Sequence, residues 1–115
     1  MFNGKTATGW GDVPTPSRKD VTVQASLKGT SGTVTATVDV YVSNDPQFAT
    51  DPANAPKSLA GSIVLSGTGS GLLSTSTVAD SGGFALQTRW RYIAANLSAI
   101  SGTGATATCS QWADA

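Results

Sequence analysis

The chain has 115 residues, and its seven Lys and Arg residues balance seven Asp residues, with no Glu and no His. This length fits one domain built around a single hydrophobic core, and the lack of His rules out histidine chemistry. Because phosphate binding rests on clustered Lys and Arg, this neutral chain is not expected to bind nucleic acid or an anionic membrane.

Small side chains dominate the composition, since 59 of the 115 residues are Thr, Ser, Ala or Gly. Such a composition disfavours helices. Leu, Ile, Val and Phe together account for 22 residues, a fraction close to that of disordered chains, but disorder usually needs a high net charge as well. We therefore expect the chain to fold.

Residues 1–19 contain several Gly and Pro residues and two isolated aromatic residues, Phe2 and Trp10. Their apolar positions repeat with neither the period of a strand nor that of a helix. The pattern predicts an extended N-terminal arm over residues 1–19, followed by a β domain over residues 20–115.

Two strands are predicted next, over residues 20–28 and 33–43, with a turn between Gly29 and Gly32. In both, β-branched or small apolar residues alternate strictly with polar ones, which is typical of a strand with one buried face and one wet face. The expected inward positions are Val21, Val23, Ala25, Leu27, Val34, Ala36, Val38, Val40 and Val42.

Residues 43–56 contain three prolines and several Asn and Asp residues, which predicts a long, ordered loop. A strand is expected over residues 57–66, with its apolar face formed by Leu59, Ile63 and Leu65. Weaker strand patterns cover residues 72–78 and 84–88, on either side of a predicted turn at Asp80-Ser81-Gly82-Gly83.

Residues 90–100 are apolar on both faces, which suits a central strand. Residues 105–112 follow after the turn sequence Ser-Gly-Thr-Gly, so the two segments are predicted to pair as a C-terminal hairpin. Together these elements predict an all-β fold: an antiparallel β-sandwich, of jelly-roll or immunoglobulin-like topology, with an extended N-terminal arm.

Catalytic residues are not expected, because the seven Asp residues are scattered and most lie in turn contexts, where carboxylates cap local amides. Asp39 is the exception, since it lies on the polar face of the valine-rich strand. Pairing of Asp39 with Lys28 or Arg91 across strands is one expectation. The chain is therefore predicted to be no enzyme and to use no cofactor.

Two further chemical groupings carry a weak signal. Asn44, Asp45 and Asp51 lie close enough in sequence for one loop to gather them around Ca²⁺, but their spacing matches no calcium loop, so no metal site is expected. Cys109 has no cysteine partner and is interpreted as a buried or half-buried thiol without a redox role.

The aromatic residues are more informative. Trp90 and Tyr92 alternate with arginines in a predicted strand and are expected in the core or at its rim. Other large apolar residues lie in or near the two terminal segments, where a small domain offers little cover. These are the candidate anchors for contact with a partner or a neighbouring subunit: Phe2, Trp10, Val13 and Trp112.

Four segments carry a family resemblance: VYVSND at 40–45, LSGT at 65–68, RWRYI at 89–93 and AISGTGATAT at 99–108. Together they resemble a small β module of tailed-bacteriophage virion proteins. The same YVSND and RYI segments are also similar to discoidin-like, galactose-binding jelly rolls, although this chain has Pro46 and Phe48 where those usually have Gly and Trp.

The resemblance implies a structural role in a phage particle, most simply as a capsid decoration or cement protein on the outer surface of the virion, made in the host cytoplasm. Its expected partners are the major capsid protein, whose subunits it would bridge, and itself as a homodimer or homotrimer. The alternative is a tail-associated or host-surface, carbohydrate-binding β module, with an aromatic platform that uses Tyr41, Phe48 or Trp112.

Overall fold

A computed structural model describes residues 1–13, 20–69, 77–87 and 90–114 of the chain. Within these ranges the chain forms one short 3₁₀ helix, Pro46–Ala49, and no helix long and apolar enough to span a membrane. It also forms eight strands: β1 Phe2–Lys5, β2 Gly9–Trp10, β3 Asp20–Gly29, β4 Ser31–Ser43, β5 Ser58–Gly69, β6 Thr77–Gln87, β7 Tyr92–Thr103 and β8 Thr106–Asp114.

The strands form two four-stranded antiparallel sheets, ordered β1-β8-β3-β6 and β2-β7-β4-β5. The first strand therefore pairs with the last, the second with the seventh, the third with the sixth and the fourth with the fifth. This is the pattern of one long hairpin folded over on itself, which defines a jelly roll. The prediction of an all-β antiparallel sandwich is confirmed. Of the two predicted topologies, jelly-roll and immunoglobulin-like, the strand order is that of the jelly roll.

The main core lies between the two sheets and is built from the alternating residues of β3 and β4. Every inward position predicted for these two strands is buried, while the intervening positions are exposed or half-buried. From β7 and β8 the core adds Ile93, Ala95, Leu97, Ala107 and Cys109. All of these residues except Leu97 are small or β-branched, which lets the two sheets pack closely.

The chain passes from one sheet to the other after β3 and again after β7, each time through a connection of one or two residues. Thr30 alone connects β3 to β4, and its N–H and hydroxyl both donate to the Thr103 carbonyl oxygen, each at 3.1 Å. Gly104 connects β7 toward β8 with a φ of +68°, a conformation that favours glycine. The predicted C-terminal hairpin is therefore wrong, because the apolar faces of β7 and β8 cover the same core from opposite sheets.

The turn predicted at Asp80-Ser81-Gly82-Gly83 is also wrong, because β6 runs straight through these residues and pairs them with β3. The glycines serve close packing instead. A Cβ atom on Gly82 would lie 3.3 Å from the Ile63 side chain, and one on Gly83 would lie 2.4 Å from the Val23 carbonyl oxygen. The proposed strand at 72–78 lies largely outside the described residues.

Strand β5 confirms two of its three predicted inward residues, Ile63 and Leu65, but Leu59 is 57 % exposed. The register explains the difference. Val40 pairs with Gly61 and Tyr41 pairs with Leu59, so one extra residue is inserted in β5 between them. This β-bulge moves Leu59 onto the opposite face of the sheet.

An extended arm at the N-terminus is not confirmed, because its first residues form edge strands of the domain. Strand β1 pairs with β8 in one sheet, and β2 pairs with β7 in the other. The Gly11 N–H donates to the Ala95 carbonyl at 2.9 Å and the Asp12 N–H donates to the Met1 carbonyl at 2.8 Å. Residues 1–13, here called the N-terminal segment, thus contact both sheets, and residues 14–19 lie outside the described part.

The close packing at Gly83 predicts the effect of adding one methyl group. Gly83→Ala forces the backbone of β6 away from β3, so we expect a loss of about 1 to 3 kcal/mol of unfolding free energy, measured by urea denaturation. Ser81→Ala, at an exposed position of the same strand, is the matched control and is expected to change stability by less than about 0.5 kcal/mol. Equal stability of the two variants would contradict this packing.

Candidate functional site

A second, smaller core lies on the outer face of the β2-β7-β4-β5 sheet, at the end where the loop after β4 folds back. Its buried residues are Phe48, Ala55 and Ala94. The half-buried residues packed around them are Trp10, Val13, Tyr41 and Tyr92. We call these seven residues the aromatic cluster.

Trp10 lies at the centre of the ring contacts in this cluster. Its ring centroid is 5.3 Å from that of Tyr41 and 6.0 Å from that of Phe48, the latter in an edge-to-face arrangement. The Lys57 ammonium lies 5.7 Å from the Trp10 ring and 5.8 Å from the Tyr41 ring, within the range of a cation–π contact. The cluster therefore fixes the N-terminal segment and the loop together.

The loop between β4 and β5 is held by its own polar side chains. The Ser43 hydroxyl donates to the Pro56 carbonyl at 2.6 Å and accepts the Asp45 N–H at 3.0 Å, which joins the two ends of the loop. Asp45 Oδ1 accepts the Gln47 N–H at 2.8 Å and so caps the 3₁₀ helix. Both carboxylate oxygens of Asp51 accept from the side-chain amide of Asn54.

These bonds use oxygen atoms that a calcium site would need. Asn44 Oδ1 accepts the Arg91 N–H at 2.9 Å, while Asp45 and Asp51 bond within the loop. Among the described residues, no group of three or more Cys or Asp side chains is placed to hold a metal ion. Asn44, Asp45 and Asp51 therefore hold the loop in its conformation through hydrogen bonds.

A surface cleft of about 330 Å³ lies beside this loop. It is lined by Ser43, Asn44, Asp45, Pro56, Lys57, Ser58 and Trp90. Trp90 is 39 % exposed and so belongs to the rim of the domain and not to its core. Sequence reasoning missed this cleft, because its residues come from three separate segments that only the fold brings together.

The predicted partner anchors lie in different places. Phe2 is half-buried against the main core, and Trp10 and Val13 belong to the aromatic cluster, so all three fold back onto the domain. Trp112 lies in β8 and pairs with Thr22 of β3. Its side chain lies outside the described part. Contact of these residues with a partner stays a prediction.

Asp39 does not pair with Lys28 or Arg91. It accepts a 2.6 Å hydrogen bond from the Ser62 hydroxyl on the neighbouring strand β5. Lys28 lies on β3 in the other sheet, and the Arg91 guanidinium lies 5.7 Å from the Tyr92 ring. The sandwich therefore separates charges that the sequence alone allows to meet.

Cys109 is buried, with its sulfur 3.5 Å from that of Met1. Burial raises the pKa of the thiol from 9.0 to about 11, against a smaller lowering by the N-terminal ammonium. A thiol of this pKa is inert at neutral pH. The expectation of a buried thiol is confirmed.

Strand β5 forms one edge of its sheet and contains no charged residue and no Pro over its twelve residues. Two apolar side chains are exposed along it, Leu59 at 57 % and Val64 at 74 %. Natural sheets usually protect such edges with Lys, Pro or short strands, because open backbone groups pair readily with another chain. The lack of charge in residues 58–69 is visible in the sequence, but their position at an edge is not.

Comparison of the chain with family models, with curated proteins and with solved structures gives no match. The function is therefore inferred from the surfaces of the molecule itself. Three of them are candidates: the aromatic cluster, the cleft beside Trp90 and the open edge of β5.

The ring contacts of Trp10 predict a stabilising role. Trp10→Ala removes its contacts with Tyr41, Phe48 and Lys57, and we expect a loss of about 2 kcal/mol, less than for a fully buried tryptophan. Val64→Ala removes an exposed apolar side chain and is expected to stay within about 0.5 kcal/mol of the wild type. Thermal unfolding measures both, and an unchanged Trp10→Ala midpoint would show that the cluster contributes no stability.

The reactivity of the buried Cys109 thiol provides a second test. Because its folded pKa is raised, burial of the neutral thiol contributes stability that is complete below pH 9.0 and is lost as the pH rises through about 11. At pH 8 we expect a disulfide reagent to label the folded protein at least about 100-fold more slowly than the same chain in denaturant. Similar labelling rates in both states would mean that the N-terminal segment leaves Cys109 uncovered.

Proposed function

We propose that this protein is a non-enzymatic structural component of a tailed-phage virion, a capsid decoration or cement protein that bridges and stabilises major capsid subunits. The family resemblance of the strand and turn segments supports it, and so does the jelly roll, a fold used in viral capsids. The observation that carries the proposal is the edge of β5, which contains no charged residue and has no strand partner on its outer side among the described residues.

Among the described residues, no strand pairs with β5 on the side that faces away from β4, although β6 of the other sheet lies close to it. The Ser66 N–H points away from β4 and donates to Asp80 Oδ2 at 3.0 Å. Because backbone groups of an antiparallel strand alternate between its two sides, Ser62 and Val64 also direct their N–H and C=O groups toward the open edge. An extended segment of a capsid subunit adds there as a fifth strand, with main-chain hydrogen bonds as the source of affinity.

Attachment of this kind suits a shell. A single added strand gives modest affinity, but many copies on one symmetric lattice stabilise neighbouring subunits together. A homodimer or homotrimer of the protein would present two or three such edges and so bridge several subunits at once. Because the Ser66 N–H already donates to Asp80, an added strand cannot use this group. This favours a short added segment centred on Val64.

A second candidate function is a tail-associated or host-surface module that binds carbohydrate. The platform expected for it does not form from Phe48, which is fully buried, or from Tyr41, which is half-buried in the aromatic cluster. Trp90 favours this function instead, because it is exposed and lines a cleft with polar side chains.

The decoration function is tested by mixing the purified protein with phage heads that lack it, then sedimenting the heads and measuring bound copies and the heat stability of the shell. We expect stoichiometric binding and a more heat-stable shell. Val64→Lys places a charge at the centre of the open edge and should weaken binding at least about tenfold, or roughly 1.4 kcal/mol.

Ala99→Lys is the matched control, because Ala99 is exposed on β7, which β4 separates from β5 in the same sheet, and pairs with Thr37 of β4. It adds the same charge away from the edge and should leave binding unchanged. Equal binding by the two lysine variants would contradict attachment through β5. Binding of a few copies, or of none, by the wild type would assign the protein to the tail or the connector.

A further inference from the structure

We infer that Asn3 and Gly4 form a self-modifying site, at which the main chain attacks the Asn3 side chain and the Thr108 hydroxyl relays the proton. Asn followed by Gly is the sequence at which this cyclisation meets the least steric hindrance, because Gly has no side chain. The site lies on β1, in the other sheet from β5 and the cleft. The reaction therefore does not depend on either candidate function.

The site is an exposed irregularity of the edge strand β1. Its register against β8 places Asn3 and Gly4 together opposite the single residue Thr108, which is a β-bulge. Gly4 has a φ of +65°, a left-handed conformation that side chains disfavour. A Cβ atom on Gly4 would meet no atom within 4 Å, so the backbone conformation and not close packing requires this glycine. Both residues of the bulge are exposed to water.

The Thr108 hydroxyl contacts both reacting groups. It accepts the Gly4 N–H at 3.0 Å and donates to Asn3 Oδ1 at 3.1 Å. The first group must lose its proton for the nitrogen to attack, and the second is the oxygen on which negative charge develops. Because a hydroxyl both donates and accepts, one side chain takes up one proton while it gives another. This arrangement meets the geometric requirement for general acid–base catalysis.

The reaction is balanced and uses water as its only co-reactant. The Gly4 nitrogen forms a bond to Asn3 Cγ, its proton passes to Thr108 Oγ1, and the Thr108 hydroxyl proton passes to Asn3 Oδ1. The side-chain nitrogen then leaves as ammonia with that proton, the carbonyl re-forms, and a succinimide ring closes. Water opens the ring at either carbonyl to give aspartate or isoaspartate. Asn3 lines a cleft of about 420 Å³, through which water reaches the ring.

Formation of isoaspartate changes the attachment of β1. It lengthens the main chain between residues 3 and 4 by one methylene group. Strand β1 has only four residues and lies at the edge of its sheet, and a longer main chain disturbs the register of so short a strand. Met1 and Phe2 pack on the main core, with the Met1 sulfur 3.5 Å from that of Cys109. We therefore expect β1 to detach from β8 and to uncover Cys109.

The reaction is tested by incubating the folded protein at neutral pH. Mass spectrometry follows the change from amide to acid, hydroxylamine traps the succinimide, and isoaspartyl methyltransferase detects isoaspartate. A synthetic peptide of residues 1–8 gives the rate without the fold. We expect the folded protein to convert faster than the peptide, and Thr108→Val to convert at least about tenfold more slowly than the wild type. Thr108→Ser keeps the hydroxyl and should keep the rate.

Thr106→Val is the matched control, because Thr106 is half-buried like Thr108 and lies two residues away on the same face of β8. It should convert at the wild-type rate. A folded protein that converts more slowly than the peptide would overturn the relay without the use of any variant. Faster conversion of Thr108→Val would do the same, because it would mean that the hydroxyl protects the Asn3 amide.

Detachment of β1 is measured separately through Cys109. After conversion, we expect a disulfide reagent to label the thiol at pH 8 at least about tenfold faster than before. Asn3→Gln has a longer side chain that closes a ring less readily, so after the same incubation it should label at the original rate. Unchanged labelling of the converted protein would overturn the detachment of β1 and leave the cyclisation standing.

Discussion

The closely packed interface between the two sheets is the constraint on which the rest of the structure depends. It is formed by valine and alanine side chains of β3 and β4, with few large residues between them. Each buried valine contributes only roughly 1.5 to 3 kcal/mol to the free energy of unfolding. The stability of this core is therefore a sum of many small contributions, and it depends on close contact between the sheets along their whole length. Gly82 and Gly83 provide it where a Cβ atom would meet the facing sheet or the neighbouring strand.

The aromatic cluster forms a second core on the outside of one sheet and holds in place the loop that lines the cleft. Phe48 from the loop, Tyr41 from β4 and Trp10 from the N-terminal segment pack together there, with Lys57 above two of the rings. The same loop provides Asn44 and Asp45 to the cleft. The contacts that hold the N-terminal segment therefore also hold the walls of the candidate sugar site.

The two candidate binding surfaces meet in β5. Ser58, its first residue, lines the cleft, and Val64 lies at the middle of the open edge. A strand added along the whole edge would come close to the cleft, whereas one centred on Val64 leaves it open. The two proposed surfaces are therefore compatible with each other, because the edge would use main-chain groups and the cleft would use side chains.

The sequence by itself determined the fold class and the inward residues of β3 and β4, because strict alternation of apolar and polar residues is a local property that fits only a strand with one buried face. It also indicated the ordered loop at 43–56 and the buried thiol of Cys109. Tertiary structure decided the rest. Gly82 and Gly83 have the composition of a turn, and only the approach of β3 and β5 makes them part of a continuous strand. Sheet membership of β7 and β8, the inserted residue that exposes Leu59, and the meeting of Asn44, Ser58 and Trp90 in one cleft all depend on contacts between residues far apart in the chain, and no local pattern encodes these.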